Sequence, residues 1–587
     1  MKIINLFHIF VENIINVCSK LNYRWTFRKY NDDATVQKLA KSQKIPKSLA
    51  YVLAVRGFTN DQDVEQFFKP LLSELHDPYL MNDMDKAVNR VIEAVRNQEL
   101  IWVHGDYDVD GTASTSMICQ FIKEIGGLVE YYIPDRFEEG YGLSKKSIKK
   151  GYDRGASVLL TVDVGITSYD QLEYAKELGM VTIICDHHEP GPMMPFAYAI
   201  LDPLKPGCPY PFKSLAACGV TYKLIQAIAQ RLNIEYISYE YLDFVAISSA
   251  ADMVPLLGEN RILVHYGLKL LNSNPRPGLH GLIHCTGLKL GGITASNVVY
   301  AVAPLINAAG RLGDAKRSVE MMLQKDENAA FRIAQILEDE NRKRRVFDQK
   351  TFEEAIPIAD EYIKNEKPHS LVIYGEKWHA GVIGIVASRL VDRYNLPSIL
   401  LTNIDGIAKG SARSISDFDI HTALKQCEDL LLEFGGHKHA AGLSLKVENL
   451  KEFRERFDKL AREGIPIELL QPEIVIDAEL KFNELSPDFL NVLAKFAPFG
   501  FANNKPVFFS KGVKSMNGIK MIGNNNIRFR AIQNHFVIDA IGINLADKVQ
   551  YCNGGKTFSI LYNLEISTYN NQKSPQLFIK DIKPEKQ

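Results

Sequence analysis

Cysteine pairs are missing from this chain. Its eight cysteines include no Cys-x-x-Cys pair, and none of their spacings suits a zinc site. Most of them lie in apolar runs, where buried free thiols are usually found. Thiols that stay reduced are typical of an intracellular compartment, so we expect the protein to be cytoplasmic.

Long apolar runs are also missing beyond the N-terminus. After residue 20 no stretch of about 18 apolar residues occurs, so we expect no membrane-spanning helix. Residues 1–20 are apolar but are interrupted by Glu12 and three asparagines. Only Lys2 precedes the apolar run and no clean cleavage site follows it. We therefore predict an amphipathic N-terminal helix or an upstream start-site extension rather than a signal peptide.

The chain has almost no net charge. Its 69 Lys and Arg residues are balanced by 70 Asp and Glu residues, which gives a formal net charge of −1. Nucleic-acid-binding domains are often strongly basic, so binding of DNA or RNA here would depend on local basic patches. With 587 residues and no visible internal repeat, the chain is too long for one core, and we expect about three or four domains.

Residues 100–185 alternate between strand-like and helical patterns. Short apolar runs predict strands at 101–103, 129–133, 158–162 and 181–185, with helices near 112–125, 144–154 and 168–178 between them. Ser144 is the predicted N-cap of the second of these helices. Strands that are separated by helices of ten to fifteen residues indicate a parallel sheet, so the predicted fold class is α/β.

Three clusters of acidic residues follow three of these apolar runs. They are His104–Gly111 (HGDYDVDG), Thr161–Gly165 (TVDVG) and Asp186–His188 (DHH). Because the carboxyl ends of parallel strands meet at one edge of a sheet, the clusters should converge. Their carboxylates would repel one another unless divalent cations offset the charge. The sequence therefore predicts a metal-dependent hydrolase.

The residue types in these clusters match the ligands of Mn²⁺ or Mg²⁺. Carboxylates with one or two imidazoles suit these cations, and they hold Zn²⁺ less selectively. Two such ions about 3.5–4 Å apart can polarise a phosphoryl group. His104, Asp108 and Asp110 form an H-x-x-x-D-x-D pattern, and Asp163 and His187 could complete the site. The D-Y-D-V-D-G segment also resembles the start of a calcium-binding loop, but it lacks the glutamate at the twelfth position.

The rest of the chain is predicted to form a lead-in, a connector and two further domains. Residues 215–320 are mainly helical in pattern, and a charged helix over 327–365 leads to a second alternating region. That region has predicted strands at 371–374 and 398–401 and a helix at 381–392. Residues 470–582 show short alternating strands with Asn/Gly turns, which predicts a small β-barrel such as an OB-fold.

Five segments summarise this organisation. They are 1–95 (N-terminal helical lead-in), 96–325 (catalytic α/β domain), 326–366 (connector helix), 367–465 (second α/β domain) and 466–587 (OB-like nucleic-acid-binding domain).

Further motifs extend along the chain beyond the acidic clusters. They are SSAADMVP at 248–255, GENR at 258–261, INAAGR at 306–311, WHAGVIG at 378–384, GSARS at 410–414 and GGHKHAAG at 435–442. With the three clusters, this combination resembles the DHH phosphoesterase superfamily and, within it, the RecJ exonucleases. The resemblance covers almost the whole chain. It implies a DHH catalytic domain over 96–325 and a DHHA1 domain over 367–465.

The resemblance implies a set of metal ligands. The implied ligands are His104, Asp108, Asp110, Asp163, His187 and Asp252. One cation would be held by Asp108, Asp163 and His104. The other would be held by Asp110, Asp163, His187 and Asp252, so that Asp163 bridges the two ions.

The resemblance also implies catalytic roles next to the metals. Asp163, Asp186 and His188 are the expected catalytic residues. Asp186 would fix the tautomer of His187, the usual arrangement for a ligating imidazole. His188 would lie by the scissile phosphate as a hydrogen-bond donor or acid. Asp106 would orient its loop or complete the metal shell.

Substrate contacts are implied on both α/β domains. The implied substrate-binding residues are Arg136, Arg311, Ser411, Arg413, Gly436 and His437. Arginine binds a phosphate bidentately, and glycine lets backbone N–H groups approach a phosphate closely.

The activity implied by the resemblance is 5′–3′ exonucleolytic hydrolysis of single-stranded DNA with two Mn²⁺ or Mg²⁺ ions, in DNA recombination and repair. A helicase and a single-strand-binding protein would be its protein partners. Two alternatives stay open. One is a DHH/DHHA1 oligoribonuclease or cyclic-dinucleotide phosphodiesterase, although these usually lack the long connector and the barrel. The other is a non-catalytic single-strand-binding replication factor, in which metal ligands are lost.

Overall fold

The computed structural model describes residues 22–136, 138–523, 525–552, 555–569 and 572–585, without the side chains of 567–569, 572 and 573. These residues form two compact units. Unit A comprises residues 66–343 and 496–504, and unit B comprises the described residues up to 65, 344–495 and from 505 onward. The N-terminal helix predicted for residues 1–20 lies outside the described residues.

Unit A contains a five-stranded, wholly parallel sheet. From one edge to the other its strands are Leu128–Tyr132, Leu100–Gly105, Ala156–Val162, Val181–Cys185 and Ala199–Leu201. The four strands predicted from apolar runs are confirmed. The fifth was missed because it has only three residues and therefore gives no periodic signal.

Both faces of this sheet are buried. Leu160 packs in one core cluster with Phe121, which lies on the helix after the first acidic cluster. The adjacent residue Leu159 packs in a second cluster with Ile148, on the helix Lys145–Asp153. Helices on both faces make a parallel sheet apolar throughout, so its polar residues gather at the strand ends. Ser144 caps its helix as predicted, with its side chain accepting a hydrogen bond from the backbone N–H of Ser147.

The remainder of unit A is helical, in agreement with the pattern over residues 215–320. Its α-helices are Met84–Arg96, Val109–Glu124, Lys145–Asp153, Tyr169–Glu177, Ala217–Leu232, Leu242–Ala251, Gly258–Ser273, Pro277–Cys285, Ala295–Asn297, Ala303–Leu312 and Lys316–Met322, with a π-helical turn at Val298–Val302. Among the described residues, no helix is both long and apolar enough to cross a bilayer.

The predicted connector is one 40-residue helix, Glu327–Glu366. The boundary between units A and B falls within it.

The lead-in is not wholly helical. Asp33–Ser42, Lys47–Val55 and Asp61–Phe68 are helices, as expected, but Arg24–Phe27 is a strand. This strand pairs in parallel with Glu473–Ile476 of unit B. The helical prediction is therefore wrong at residues 24–27, because the pairing partner lies far away in sequence and leaves no local pattern.

The second α/β domain lies in unit B and has a mixed five-stranded sheet. In spatial order its strands are Leu431–His437, Ala440–Lys446, Ile407–Arg413, Ser398–Ile404 and Leu371–Tyr374, with helices Ala380–Tyr394, Ile420–Lys425 and Leu450–Gly464. Only the last two strands pair in parallel. The antiparallel strands were missed because their sequences are rich in glycine and polar residues.

The C-terminal part of unit B is a closed β-barrel, as predicted. Its strands in order are Ala478–Glu479, Phe508–Ile522, Asn526–Gln533, Phe536–Gly542, Gln572–Pro584 and Phe558–Tyr569, and two further helices are Pro487–Ala494 and Val549–Cys552. Phe508–Ile522 also pairs with Phe558–Tyr569, which closes the barrel. Closure removes the exposed strand edges that an open sheet would present.

Candidate metal centre

The three acidic clusters follow three strands that are neighbours in the sheet of unit A. Leu100–Gly105, Ala156–Val162 and Val181–Cys185 lie side by side and run in the same direction. Their carboxyl ends therefore place the three clusters at one edge. This is the convergence that the alternating pattern predicts.

Three groups of potential metal ligands lie at this edge. In each group the ligand atoms lie within 4.8 Å of one another, and the groups are Asp106–Asp108–Asp163, Asp110–His187–Asp252 and Asp163–His187–His188. Asp163 and His187 each belong to two groups. Nε2 of His187 lies 3.3 Å from Oδ1 of Asp163 and 3.8 Å from carboxylate oxygens of both Asp110 and Asp252. The structure thus brings together five of the six predicted ligands.

Asp110 is held rigidly by hydrogen bonds. Its Oδ1 accepts from the hydroxyl of Ser248 at 2.6 Å and from the backbone N–H of Cys218 at 2.8 Å. Its Oδ2 accepts from the backbone N–H of Ala217 at 2.8 Å. Ala217 and Cys218 begin a helix, whose N-terminus favours a negative charge. The carboxylate is therefore fixed in place before any ligand binds.

The spacing of the first cluster follows from a helix cap. Asp108 is the N-cap of the helix Val109–Glu124, and its Oδ1 accepts from the backbone N–H groups of Asp110 and Gly111 at 2.9 and 3.1 Å. A Cβ on Gly111 would lie 2.5 Å from backbone atoms of Asp106, so only glycine fits there. The turn therefore presents three carboxylates within five residues.

Asp163 stands directly after its strand in a left-handed backbone conformation, with φ of 63°. Its backbone N–H donates to the carbonyl of Cys185 on the neighbouring strand at 3.0 Å. A non-glycine residue rarely adopts this conformation, and such residues cluster at functional sites. The backbone thus turns at the point where the side chain meets those of the other clusters.

The carboxylates of this edge repel one another strongly. Burial raises the pKa of Asp163 and Asp108, and the charges of neighbouring carboxylates raise it further. The same two causes raise the pKa of Asp252 to about 8. The pKa of Asp106 is raised in the same way, and its Oδ1 is buried with no hydrogen-bond partner among the described residues. Divalent cations would relieve this repulsion, and the oxygen-rich donor set with one or two imidazoles fits Mn²⁺ or Mg²⁺.

His104 does not join these groups. It belongs to none of the three groups found among the described residues, and both of its buried ring nitrogens lack a hydrogen-bond partner there. Burial lowers its pKa to about 4. His104 is still part of the strand, so its ring packs beside that of Tyr132, with 5.5 Å between the ring centroids. Asp106, the first residue beyond the strand, occupies the place that was predicted for His104.

Asp186 contacts a different histidine from the one predicted. Its Oδ1 lies 2.7 Å from Nδ1 of His188, and it accepts from the backbone N–H of His187 at 2.8 Å. Its Oδ2 accepts from the backbone N–H of Ile166 at 3.0 Å. The prediction that Asp186 fixes the ring of His187 is therefore wrong. The His187 ring instead faces the carboxylates.

The His188 ring forms a short polar chain with two partners. Burial disfavours its cationic form, but the hydrogen bond and charge of Asp186 outweigh this effect and raise the pKa of His188 to about 9. The Nε2 atom of His188 lies 3.2 Å from the hydroxyl of Tyr141. Tyr141 was missed because it lies in a loop 47 residues away from His188, and a tyrosine between two glycines gives no signal of chemistry.

Two predicted substrate contacts of unit A lie near Tyr107. The guanidinium of Arg136 stands 5.2 Å from the centroid of the Tyr107 ring. Arg311 lies in the last turn of the helix Ala303–Leu312. Burial and the charge of Asp106 raise the pKa of Tyr107 to about 12, whereas the charges of Arg136 and Arg311 oppose this rise. Both arginines are thus close enough to influence electrostatically Tyr107, which lies between Asp106 and Asp108 in sequence.

The other four predicted contacts lie together in unit B. Nη1 of Arg413 donates to the hydroxyl of Ser411 at 2.8 Å. Arg413 and His437 pair with the same residue, Ala440, from opposite sides of its strand. Gly436 has a φ of 138°, and a Cβ there would lie 2.4 Å from the carbonyl oxygen of Ala440. One end of this sheet therefore carries an arginine, a serine, a histidine and a glycine-restricted backbone.

Comparison with known proteins defines the class of this fold and site. The family model of the DHH family, N-terminal domain, matches residues 100–248. The DHHA1 domain matches residues 367–463, and the RecJ OB domain matches residues 476–581. The chain is thus a DHH/DHHA1 protein with an OB domain, and the predicted fold class is confirmed.

Similar proteins narrow the class to one family. The single-stranded-DNA-specific exonuclease RecJ of Bacillus subtilis (strain 168) is 36% identical over 564 residues, which cover 95% of this chain and 70% of that protein. The Escherichia coli (strain K12) protein of the same name is 33% identical over 562 residues, covering 92% and 96%. The crystal structure of RecJ from Thermus thermophilus in complex with Mn²⁺ superposes with a TM-score of 0.82 at 26% identity, covering 96% of this chain and 80% of that one. This chain belongs to the RecJ family.

Proposed function

We propose that the protein is a metal-dependent exonuclease that hydrolyses single-stranded DNA from its 5′ end. The observation that carries the proposal is the cluster of Asp106, Asp108, Asp163, Asp110, His187 and Asp252 at one sheet edge. Such a cluster has the donor set for two divalent cations. Relatives that are named single-stranded-DNA-specific exonucleases supply the substrate class.

The residues fit two cations in the following way. Asp106, Asp108 and Asp163 would hold one, and Asp110, Asp163, His187 and Asp252 the other. When bound, two such cations polarise the phosphoryl group, activate water and stabilise the charge of the transition state. Solved RecJ structures contain Mn²⁺ or Mg²⁺.

The protein's own contribution starts with rigidity. Asp110 and Asp108 are fixed by backbone N–H groups, so little reorganisation is needed when substrate arrives. The pair of Asp186 and His188 would then act on the scissile phosphate. Asp186 accepts from Nδ1 and raises the pKa of His188 to about 9, so the ring would be a cation at neutral pH and would donate its Nε2 proton to a phosphate oxygen or to the departing 3′-oxygen. The Tyr141 hydroxyl would help to hold the His188 ring in its orientation.

The substrate would be held through its phosphates. Arg136 and Arg311 would contact the DNA strand close to the metal centre, since both lie near enough to Tyr107 to affect its pKa. Ser411 and Arg413 would clamp a terminal or adjacent phosphate, with the backbone at Gly436 and the ring of His437 as further donors. Contacts to phosphates carry no sequence information, which suits an enzyme that degrades any sequence.

We further propose the setting of this activity. A helicase that supplies single strands and a single-strand-binding protein would be its partners. A cytoplasmic location is supported by the seven described cysteines, all of which are free thiols. The five predicted segments are supported by family matches that lie inside three of them, at 100–248, 367–463 and 476–581.

The two alternatives are not favoured. An oligoribonuclease or cyclic-dinucleotide phosphodiesterase has no need for the barrel, and here residues 476–581 match the RecJ OB domain. A non-catalytic single-strand-binding factor has no need for metal ligands. Here the potential ligand atoms of each group lie within 4.8 Å of one another.

A labelling experiment tests the proposal. Long single strands that carry a label on the 5′ or the 3′ terminal nucleotide are incubated with the protein and Mn²⁺, beside a blunt duplex and a dinucleotide. We expect early release of the 5′ label as a mononucleotide and little release from the duplex. Release of the 3′ label first would refute the polarity, and preference for the dinucleotide would favour the oligoribonuclease alternative.

A further inference from the structure

The segment Phe496–Asn504, here called the strap, belongs to unit A although the residues on both sides of it belong to unit B. It closes on itself. The side-chain amide of Asn503 donates to the carbonyls of Phe496 and Pro498 at 2.9 and 2.8 Å. Gly500 and Asn503 also exchange backbone hydrogen bonds, at 3.1 and 3.0 Å. Asn503 is only 1% exposed, so the strap is folded around a buried amide.

A buried arginine attaches the strap to the helix Gly258–Ser273. Nη1 of Arg261 donates to the carbonyl of Phe496 at 2.9 Å, and Nη2 donates to that of Ala497 at 2.8 Å. Nε donates to the carbonyl of Phe67, and the guanidinium lies 3.8 Å from the centroid of that ring. Three carbonyls and a ring face thus surround a cation that is 3% exposed. The strap has one well-defined position on unit A.

The strap in turn holds the loop that follows Asp252. The backbone N–H of Leu256 donates to the carbonyl of Phe501 at 2.9 Å. A Cβ on Gly500 would lie 2.5 Å from Cδ1 of Leu256, so the strap backbone rests directly on that buried side chain. Met253, next to Asp252, has a left-handed φ of 57°. The loop therefore turns sharply at Met253 and is hydrogen-bonded to the strap at Leu256.

Asp252 depends on this loop more than Asp108 and Asp110 depend on theirs. It follows the last turn of the helix Leu242–Ala251, and its backbone N–H donates to the carbonyl of Ser248 at 2.9 Å. Its carboxylate accepts no hydrogen bond among the described residues, whereas Asp110 receives several and Asp108 caps a helix. The direction of the Asp252 side chain is thus set by the backbone on both sides of it.

We propose that the strap positions Asp252 and thereby sets the affinity of the cation held by Asp110, His187 and Asp252. The inference rests on the proposed function for the metal centre, but it concerns residues that lie in none of the three ligand groups. Groups that orient metal ligands typically change metal affinity by about 10–100-fold when they are altered. The cation held by Asp106, Asp108 and Asp163 has no ligand on this loop, so its affinity should not change.

Two substitutions test the proposal on the full chain. Gly500→Ala adds a methyl group against Leu256, and Asn503→Ala removes the amide that closes the strap. Gly292→Ala and Asn272→Ala are matched controls in the same unit. Gly292 has open space around its Cβ position, and the amide of Asn272 likewise donates to two carbonyls, at 2.8 and 2.9 Å. Free Mn²⁺ is titrated by electron paramagnetic resonance, without DNA.

We expect two binding sites in the wild type and in both controls. In Gly500→Ala and Asn503→Ala one site should weaken about tenfold or more while the other keeps its affinity. Nuclease activity should recover at high Mn²⁺ with an unchanged KM for DNA. Wild-type affinity at both sites in the folded Gly500→Ala variant would overturn the proposal, as would equal weakening of both sites or the same loss in the controls. Because metal binding is read without DNA, failure of the nuclease assignment would show separately.

Discussion

Nδ1 of His188 lies 2.7 Å from Oδ1 of Asp186, whereas Nε2 of the preceding residue, His187, lies 3.3 Å from Asp163 and 3.8 Å from Asp110. Two adjacent histidines therefore have different hydrogen-bond and charge partners. In the proposed mechanism His187 binds a cation and His188 carries a proton. The divergence follows from the backbone, because Asp186 also accepts from the N–H of His187 and so fixes the direction in which each ring leaves the turn.

Asp186→Asn should lower kcat without weakening metal binding. The substitution removes the charge that keeps His188 protonated, and loss of a general acid typically costs about 10²–10⁴-fold in rate. His188→Gln should cost a similar factor, and the double variant should be little worse than either single one, since the two residues act as a unit. Single-turnover kinetics and Mn²⁺ titration measure both effects. A large loss of Mn²⁺ affinity in Asp186→Asn would instead point to a role through His187.

Asp163→Asn should abolish cleavage but leave binding of single strands largely intact. Asp163 groups with Asp106 and Asp108, and its Oδ1 also lies 3.3 Å from Nε2 of His187, so its loss removes a proposed ligand from each cation. The proposed phosphate contacts lie on other residues. Asp170→Asn, an exposed position in the helix after Asp163, is the matched control and should retain wild-type activity. Fluorescence anisotropy with a labelled single strand, beside a nuclease assay, separates the two outcomes; an active Asp163→Asn variant would remove it from the bridging position.

The metal-free protein should lose stability as the pH rises. The folded protein raises the pKa of Asp252 to about 8 and also raises those of Asp106, Asp108 and Asp163, whereas the unfolded chain has ordinary values near 3.8. Between these values the folded state binds more protons than the unfolded state, so the free energy of unfolding falls with increasing pH. The raised pKa of His188, about 9, acts in the same direction above pH 6.5.

Thermal unfolding checks this pH dependence. With EDTA we expect Tm to fall between about pH 5 and pH 8, and with saturating Mn²⁺ we expect most of that fall to disappear, since bound cations replace the protons. Asp252→Asn should make the slope in EDTA shallower. A Tm that rises with pH in EDTA would show that the carboxylates do not repel one another as the structure implies.

Arg413→Ala should weaken substrate binding rather than chemistry. Its guanidinium stands beside Ser411, and a charge-assisted contact to phosphate contributes about 1.5–3 kcal/mol, which is roughly 10–100-fold in KM. Arg456→Ala, a surface arginine paired with Asp429 and Glu452 in the same domain, is the control. We expect a higher KM, unchanged Mn²⁺ affinity and a reduced preference for 5′-phosphorylated over 5′-hydroxyl strands. An equal KM for Arg413→Ala and Arg456→Ala would contradict a phosphate contact at Arg413.

The parallel sheet and its acidic edge could be predicted because each depends on local sequence. Apolar runs of three to five residues mark strands that are buried on both faces, and a carboxylate after such a run must lie at the strand end. Asp108, Asp110 and Asp163 were located in this way. The long connector helix was predicted for a similar reason, since Ala330, Ile333, Ala334 and Leu337 form an apolar stripe with helical spacing.

The errors concern residues whose role depends on an exact position along the backbone, one or two residues from a candidate of similar chemistry. His104 is inside the strand and Asp106 is just beyond it, so a shift of two residues decides which one reaches the cluster. The wrong choice of His187 rather than His188 as the partner of Asp186 has the same origin. The strand Arg24–Phe27 could not be predicted, because its partner lies far away in sequence and no pattern in the segment itself reveals the pairing. The contacts of the strap with unit A could not be predicted either, because Arg261 and Leu256 lie far away in sequence.

The central claim is that acidic and imidazole groups from distant parts of the chain hold two cations at one sheet edge. Anomalous diffraction from crystals soaked in Mn²⁺, recorded at the manganese absorption edge, tests it most directly. The account predicts two strong peaks, one among Asp106, Asp108 and Asp163 and the other among Asp110, His187 and Asp252. A map with no peak at this edge under saturating Mn²⁺ would contradict it.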